Sequence, residues 1–100
     1  MKKGVFAYTI TYMQVEFDDS KNRSNIEKHG VSLEDVVGFD FVGAKTEVDN
    51  RKDYRETRYR SLGYLKRRLY VCIWTPRPDA VRMISLRKAN ARERKEYAQR

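Results

Sequence analysis

Leu69-Tyr70-Val71-Cys72-Ile73-Trp74-Thr75 is the most apolar stretch of the chain. Its β-branched and aromatic residues read as a central strand. Just before it, Lys66-Arg67-Arg68 makes a tight basic turn. Ahead of that turn, residues 57–65 set Thr57, Tyr59 and Ser61 against Arg58, Arg60 and Leu62, which is the period of two of a strand. Residues 46–49 form a shorter strand, and 50–54 a charged turn. Beyond the central stretch, Pro76-Arg77-Pro78-Asp79 is expected to be a loop, because proline cannot donate to a ladder. Residues 81–86 give the last strand. Asn90-Ala91-Arg92-Glu93 has the pattern of a capping box, opening a C-terminal helix that runs to about Ala98.

The first half is organised differently. Residues 14–17 alternate and give a first short strand. Asp18-Asp19-Ser20 offers caps for a helix running to about His29, and Gly30 sits where a helix commonly ends in the left-handed conformation. That helix is polar, with Ile26 its main apolar residue. Ser32-Leu33-Glu34-Asp35 starts a second, short helix, with Val31 and Val36 at staple positions and Leu33, Val36 and Val37 on one face. Gly38 weakens its end. The element order β-α-α-β-β-β-β-α predicts an α+β fold. Two N-terminal helices pack on one face of a mainly antiparallel sheet of four to five strands, a C-terminal helix follows, and the other face is left for solvent or a ligand.

One hundred residues make a single domain spanning 1–100. With 40% hydrophobic and 36% charged residues, the core is small and the surface heavily charged. No apolar run approaches the roughly 20 residues of a membrane helix. Met1-Lys2-Lys3 and the residues after it are too short and too interrupted by Tyr and Thr for a signal peptide. Residues 1–12 are read as an N-terminal extension or an edge strand, with Met13 as an alternative start. The lone Cys72 forms no internal disulfide, and with a single histidine it builds no Cys/His zinc cage. A cytoplasmic protein without a cofactor or metal is expected.

Charge is unevenly placed. Residues 51–100 hold sixteen of the twenty-two Lys and Arg but five of the fourteen acids, a net +11 against −3 for residues 1–50. A sheet that basic attracts polyanions by steering and counterion release, which makes nucleic acid the first partner to test. Arg58 and Arg60 are two apart and share a face. Arg82 and Arg87 are five apart, so a regular strand separates them unless a bulge or the strand's end intervenes. Tyr59, Tyr70, Trp74 and Tyr97 interleave with the basic residues, as in proteins that hold single-stranded RNA. Core packing is the competing reading for Tyr70 and Trp74, and simple solvation for the arginines. His29 is a candidate acid, base or phosphate donor, or else only the end of its helix. Glu56 is a candidate base, or else a cross-strand partner of an arginine. No glycine-rich phosphate loop occurs, and no acid or histidine cluster has metal spacing.

Phe17-Asp18-Asp19-Ser20-Lys21-Asn22 and Asn25-Ile26-Glu27-Lys28-His29-Gly30-Val31-Ser32 resemble the opening signature of the BrnT toxin family. Asp53-Tyr54-Arg55 to Ser61-Leu62-Gly63 is similar to its middle segment. Arg82-Met83-Ile84-Ser85-Leu86-Arg87-Lys88-Ala89, followed by Arg92-Glu93-Arg94 and Tyr97, is similar to its closing segment. The resemblance implies a type II toxin with a RelE-like fold that cleaves RNA and inhibits translation. It also implies a BrnA-like ribbon-helix-helix antitoxin as partner, with operator DNA reached through that antitoxin. On this reading Arg82, Arg87, His29 and Glu56 are the catalytic candidates. Arg58, Arg60, Tyr59, Trp74 and Lys88 bind RNA, with antitoxin contact as the alternative for Lys88 and Arg92. Cleavage is expected to be metal-independent, by attack of the RNA 2′-hydroxyl. The rival expectation is a non-catalytic nucleic-acid-binding module that acts as a co-repressor with a DNA-binding partner.

Overall fold

The apolar stretch around Cys72 is the middle of β4 (Arg68–Arg77), and everything else is arranged about it. A computed structural model describes residues 14–100, so the reading of 1–12 lies outside the described residues. In chain order, β1 (Gln14–Glu16), α1 (Asp19–His29), a 3-10 helix (Leu33–Gly38), β2 (Lys45–Val48) and β3 (Tyr59–Leu65) precede β4. β5 (Ala80–Lys88) and α2 (Ala91–Ala98) follow it. The strands form one sheet in the order β1-β5-β4-β3-β2. β2 to β5 pair antiparallel, and β1 joins the edge parallel to β5, so the sheet is mixed.

β4 is buried on both faces, which is why its sequence is apolar without interruption. Cys72 and Trp74 point to one face with Val31, Leu33, Val36, Phe39, Met83 and Leu86. Val71 and Ile73 point to the other with Leu62, Leu69, Ala89 and Tyr97. Tyr97 belongs to α2, so this helix lies on the face opposite the 3-10 helix. The expectation that the other face is left for solvent or a ligand is therefore corrected. Only the part of the second face that α2 leaves uncovered is open.

The second expected helix is a 3-10 helix. Its Ser32 cap and reciprocal Asp35 bond form as the sequence suggests, but its period is three residues. Leu33, Val36 and Phe39 therefore stack inward, at 0%, 2% and 5% exposure, while Val37 turns out to solvent. Helix α1 also departs from its expected packing. Asp18 caps it and Gly30 closes it at φ +71°, but Ile26 is exposed and Asn25 is its one buried residue. β1 pairs with β5 only from Ala80 to Arg82. Beyond that point the Asn25 amide supplies what a strand would. Its Nδ2 donates to the carbonyls of Leu86 and Val31, both at 2.8 Å, and its Oδ1 accepts from the Leu86 amide at 3.1 Å.

β4 continues through Pro76 and Arg77, which were expected in a loop. Pairing with β3 stops at Trp74, so the missing proline N–H leaves no gap in a two-sided ladder. Between β4 and β5 the register shifts. Ile73 faces Ser85 while Trp74 faces Met83, which leaves Ile84 as an extra residue. This bulge decides where the arginines go.

Candidate functional site

In β5 the buried residues Val81 and Met83 are followed on the same face by Leu86, three positions on instead of two. The bulge at Ile84 thereby puts Arg82 and Arg87 on one face, the same face as Ile73 and Thr75 of β4. In register, Arg60, Ile73 and Ser85 form one row across β3, β4 and β5, and Leu62, Val71 and Arg87 form the next. Arg82 lies opposite Thr75, and Arg77, two residues on, shares its side. Thr75 also donates its hydroxyl to the Thr57 carbonyl at 2.7 Å, which draws the segment before β3, with Arg58, to the same end. The result is a floor of Ile73, Thr75 and Ser85 bordered by five arginines.

Each of these arginines is held by a carboxylate. One chain of ion pairs runs from Arg82 through Glu16 to Arg77, and through Glu56 to Arg58. A second runs from Arg87 through Glu93 to Arg60, and through Glu96 to Lys45. Arg87 grips Glu93 with both terminal nitrogens at 2.8 Å, while Glu93 also accepts from the Asn90 amide as the capping-box acid. The hydrogen bonds from Arg87 outweigh the opposing effect of burial and hold the Glu93 carboxyl down at about 2. For Arg60, burial alone would ease proton loss, but Glu96 and Glu93 reverse that and raise its pKa. Glu56 is held below the ordinary carboxylate value, first by its bond from Arg58 and also by Arg77.

The structure brings together Arg58, Arg60, Arg82, Arg87 and Glu56. His29 sits at the rim. It is exposed at the end of α1 and borders a cleft of about 210 Å³ with Lys28, Asn25, Ile84 and Ser85. Ser85 is thus common to the His29 cleft and the arginine floor. Tyr59 and Trp74 are not part of this face. They are register partners on the opposite one and stack on each other with ring centroids 4.8 Å apart. Trp74 is 1% exposed and donates from Nε1 to the Ser61 hydroxyl at 2.9 Å, so its ring is core and offers no platform for a base. Lys88 pairs with Tyr70, which assigns it to that opposite side at the end of β5, where it is exposed.

Arg77, Glu16, Glu93, Glu96 and Lys45 of the cluster escaped the sequence reading. Arg77 was hidden between two prolines, although it lies two positions after Thr75. Glu16 and Glu93 were read as a strand residue and a cap. Among the described residues, no group of three or more His, Cys, Asp or Glu side chains is placed to hold a metal ion. Nor is any helix among them long and apolar enough to cross a membrane.

Comparison with known proteins identifies the family and a similar fold. Residues 17–93 match the family model described as ribonuclease toxin, BrnT, of type II toxin-antitoxin system. The fold is similar to the crystal structure of the ribonuclease toxin BrnT of Brucella abortus. The TM-score is 0.61 at 28% sequence identity, covering 78% of this chain and 97% of that one. No curated protein matches the sequence.

Proposed function

The chain belongs to the BrnT family of ribonuclease toxins of type II toxin–antitoxin systems, and from that premise we propose that it is a RelE-like endoribonuclease that cuts RNA on its arginine-bordered sheet face without a metal. The observation that carries the proposal is the bulge at Ile84, which sets Arg82 and Arg87 on the same face as Arg58, Arg60 and Arg77. Guanidinium groups so placed match the charge and the forked geometry of phosphate oxygens.

In the proposed reaction, the RNA backbone displaces Glu16 from Arg82 and Glu93 from Arg87. The two arginines then bind the scissile phosphate and neutralise the charge that grows on it. Arg58 and Arg77 turn to a neighbouring phosphate and release Glu56. Freed of its two arginines, Glu56 regains basicity and accepts the proton of the 2′-hydroxyl. The 2′-oxygen bonds to phosphorus, the bond from phosphorus to the 5′-oxygen breaks, and His29 protonates the departing oxygen. One product ends in a 2′,3′-cyclic phosphate and the other in a 5′-hydroxyl. Tyr59 and Trp74 support the sheet from behind, and Lys88 is left for the antitoxin. A BrnA-like ribbon-helix-helix antitoxin is the proposed partner, linking the complex to operator DNA and silencing the toxin in the cytoplasm.

The test is purified protein with end-labelled RNA in EDTA, beside the same RNA carrying a 2′-deoxy sugar at the cut position. Cleavage of the first and not the second is expected. Cleavage of both would remove the 2′-hydroxyl mechanism. Binding without cleavage of either would leave the non-catalytic co-repressor. In cells, inducing this gene should arrest growth and halt translation, and co-expressing the antitoxin should relieve the arrest.

A further inference from the structure

On the other side of α2 from the carboxylate-bound arginines lies a second basic surface. A cleft of about 660 Å³ is lined by Tyr64, Arg67, Arg68, Arg94, Tyr97 and Arg100, among others. The β3–β4 turn, which Lys66 makes possible by adopting φ +59°, delivers Arg67 and Arg68. Tyr64 comes from the end of β3, and helix α2 with the residues after it delivers Arg94, Tyr97 and Arg100; the charges of the helix are sorted by side. Glu93 and Glu96 bond to Arg60 and Arg87, whereas Arg94, Tyr97 and the following turn border the cleft.

The cleft differs chemically from the arginine floor. Among the described residues, none of its four guanidiniums has a carboxylate within 4.0 Å, while all five arginines of the floor do. Arg94 and Arg100 instead donate to the backbone carbonyls of Ala89 and Tyr97. Four unneutralised cations in one concavity focus a positive field outward. The aromatic component is accessible: Tyr64 is 45% exposed and stands edge-on to Tyr97 at 5.5 Å. Arg100 covers the Tyr97 ring at 3.6 Å.

We propose that this cleft is a binding site for single-stranded RNA, separate from the cutting face, with Arg67, Arg68, Arg94 and Arg100 taking phosphates and Tyr64 stacking a base. Uncompensated guanidinium beside an open aromatic face is what a single strand requires. An acidic peptide would use the charge but would leave the Tyr64 ring without a stacking partner. The inference deepens the ribonuclease reading by giving the substrate a second hold on the protein, and it rests on that reading for the identity of the strand.

The experiment measures binding rather than cutting, so it stands even if no RNA is cleaved. A fluorescent single-stranded oligoribonucleotide with 2′-O-methyl sugars throughout is titrated with full-length protein at several salt concentrations. Arg67→Glu/Arg68→Glu, at an exposed hairpin turn, should raise Kd at least about tenfold. It should also lower the slope of log K against log salt by about 0.7 for each phosphate that the variant no longer neutralises. Tyr64→Ala should raise Kd about fivefold or more, and Tyr64→Phe should restore it, because stacking needs the ring and not the hydroxyl. Unchanged Kd and slope in the double variant, with circular dichroism confirming its fold, would overturn the proposal. So would parental RNA binding combined with failure to capture the antitoxin, which would make the cleft a protein dock.

Discussion

Glu93 has two duties at once: it caps α2 and it anchors Arg87 and Arg60. Glu93→Gln keeps the shape and removes the charge, and should cost about 2 kcal/mol of stability, read from the denaturant midpoint. The pH dependence has a definite sign. The carboxyl titrates at about 2 when folded against an ordinary 4.5, so its contribution is complete above pH 4.5 and is lost as pH falls toward 2. The stability gap between parent and variant should therefore close over that interval. A gap that stays constant would mean the charge of Glu93 is not its cause. Arg82→Ala and Arg87→Ala should each slow RNA cleavage about a hundredfold. They should differ in stability. Arg82 pairs with a Glu16 side chain that is 44% exposed, an ion pair worth about 0–1 kcal/mol, whereas Arg87→Ala takes the two-pronged partner from the nearly buried Glu93 and leaves it only Arg60 and the Asn90 amide. Equal melting temperatures for the two variants would contradict the ion-pair geometry.

At the scale of elements, the bulge in β5 and the glycine of β3 do most to shape the molecule. Gly63 lies under the segment between the 3-10 helix and β2. A Cβ there would come within 2.9 Å of the Ala44 Cβ, 3.0 Å of Phe39 and 3.1 Å of the Asp40 carbonyl. Gly63→Ala should lower stability by about 1–3 kcal/mol, visible as a fall in melting temperature, because a backbone carbonyl cannot step aside as a side-chain tip can. Alternation made the strands legible in the sequence, and caps made the helices legible: Asp18, Ser32 and Asn90 all act where their spacing suggests. Alternation also put Tyr59 on the face away from Arg58 and Arg60, and Trp74 on the face away from Ile73. Grouping these rings with the arginines weighed composition above period. What could not be read were features set by contacts distant in sequence. The bulge depends on how β4 and β5 align, the 3-10 period on how Phe39 meets Leu65 of β3, and the end of β3 pairing on residues that carry no local signal. The five-residue spacing of Arg82 and Arg87 was the one visible hint that the strand must be irregular.

The whole molecule divides its charge between a basic sheet half and an acidic remainder, and then partly cancels the former with its own glutamates. In the proposed reaction RNA takes the place of those acids and sheds its own counterions, so binding should weaken with salt. Replacing the masking acid at the rim of the floor, Glu16→Gln, should tighten binding of a non-cleavable strand by a few fold at low ionic strength, measured by anisotropy. No change would mean that Glu16 does not compete with phosphate. The side chain of Asn25 bears on a different risk. By saturating both hydrogen-bonding groups of Leu86, it denies a second molecule the place where a foreign strand would add. One amide, mimicking a peptide group from within a helix, closes this stretch of β5 to a strand from another copy.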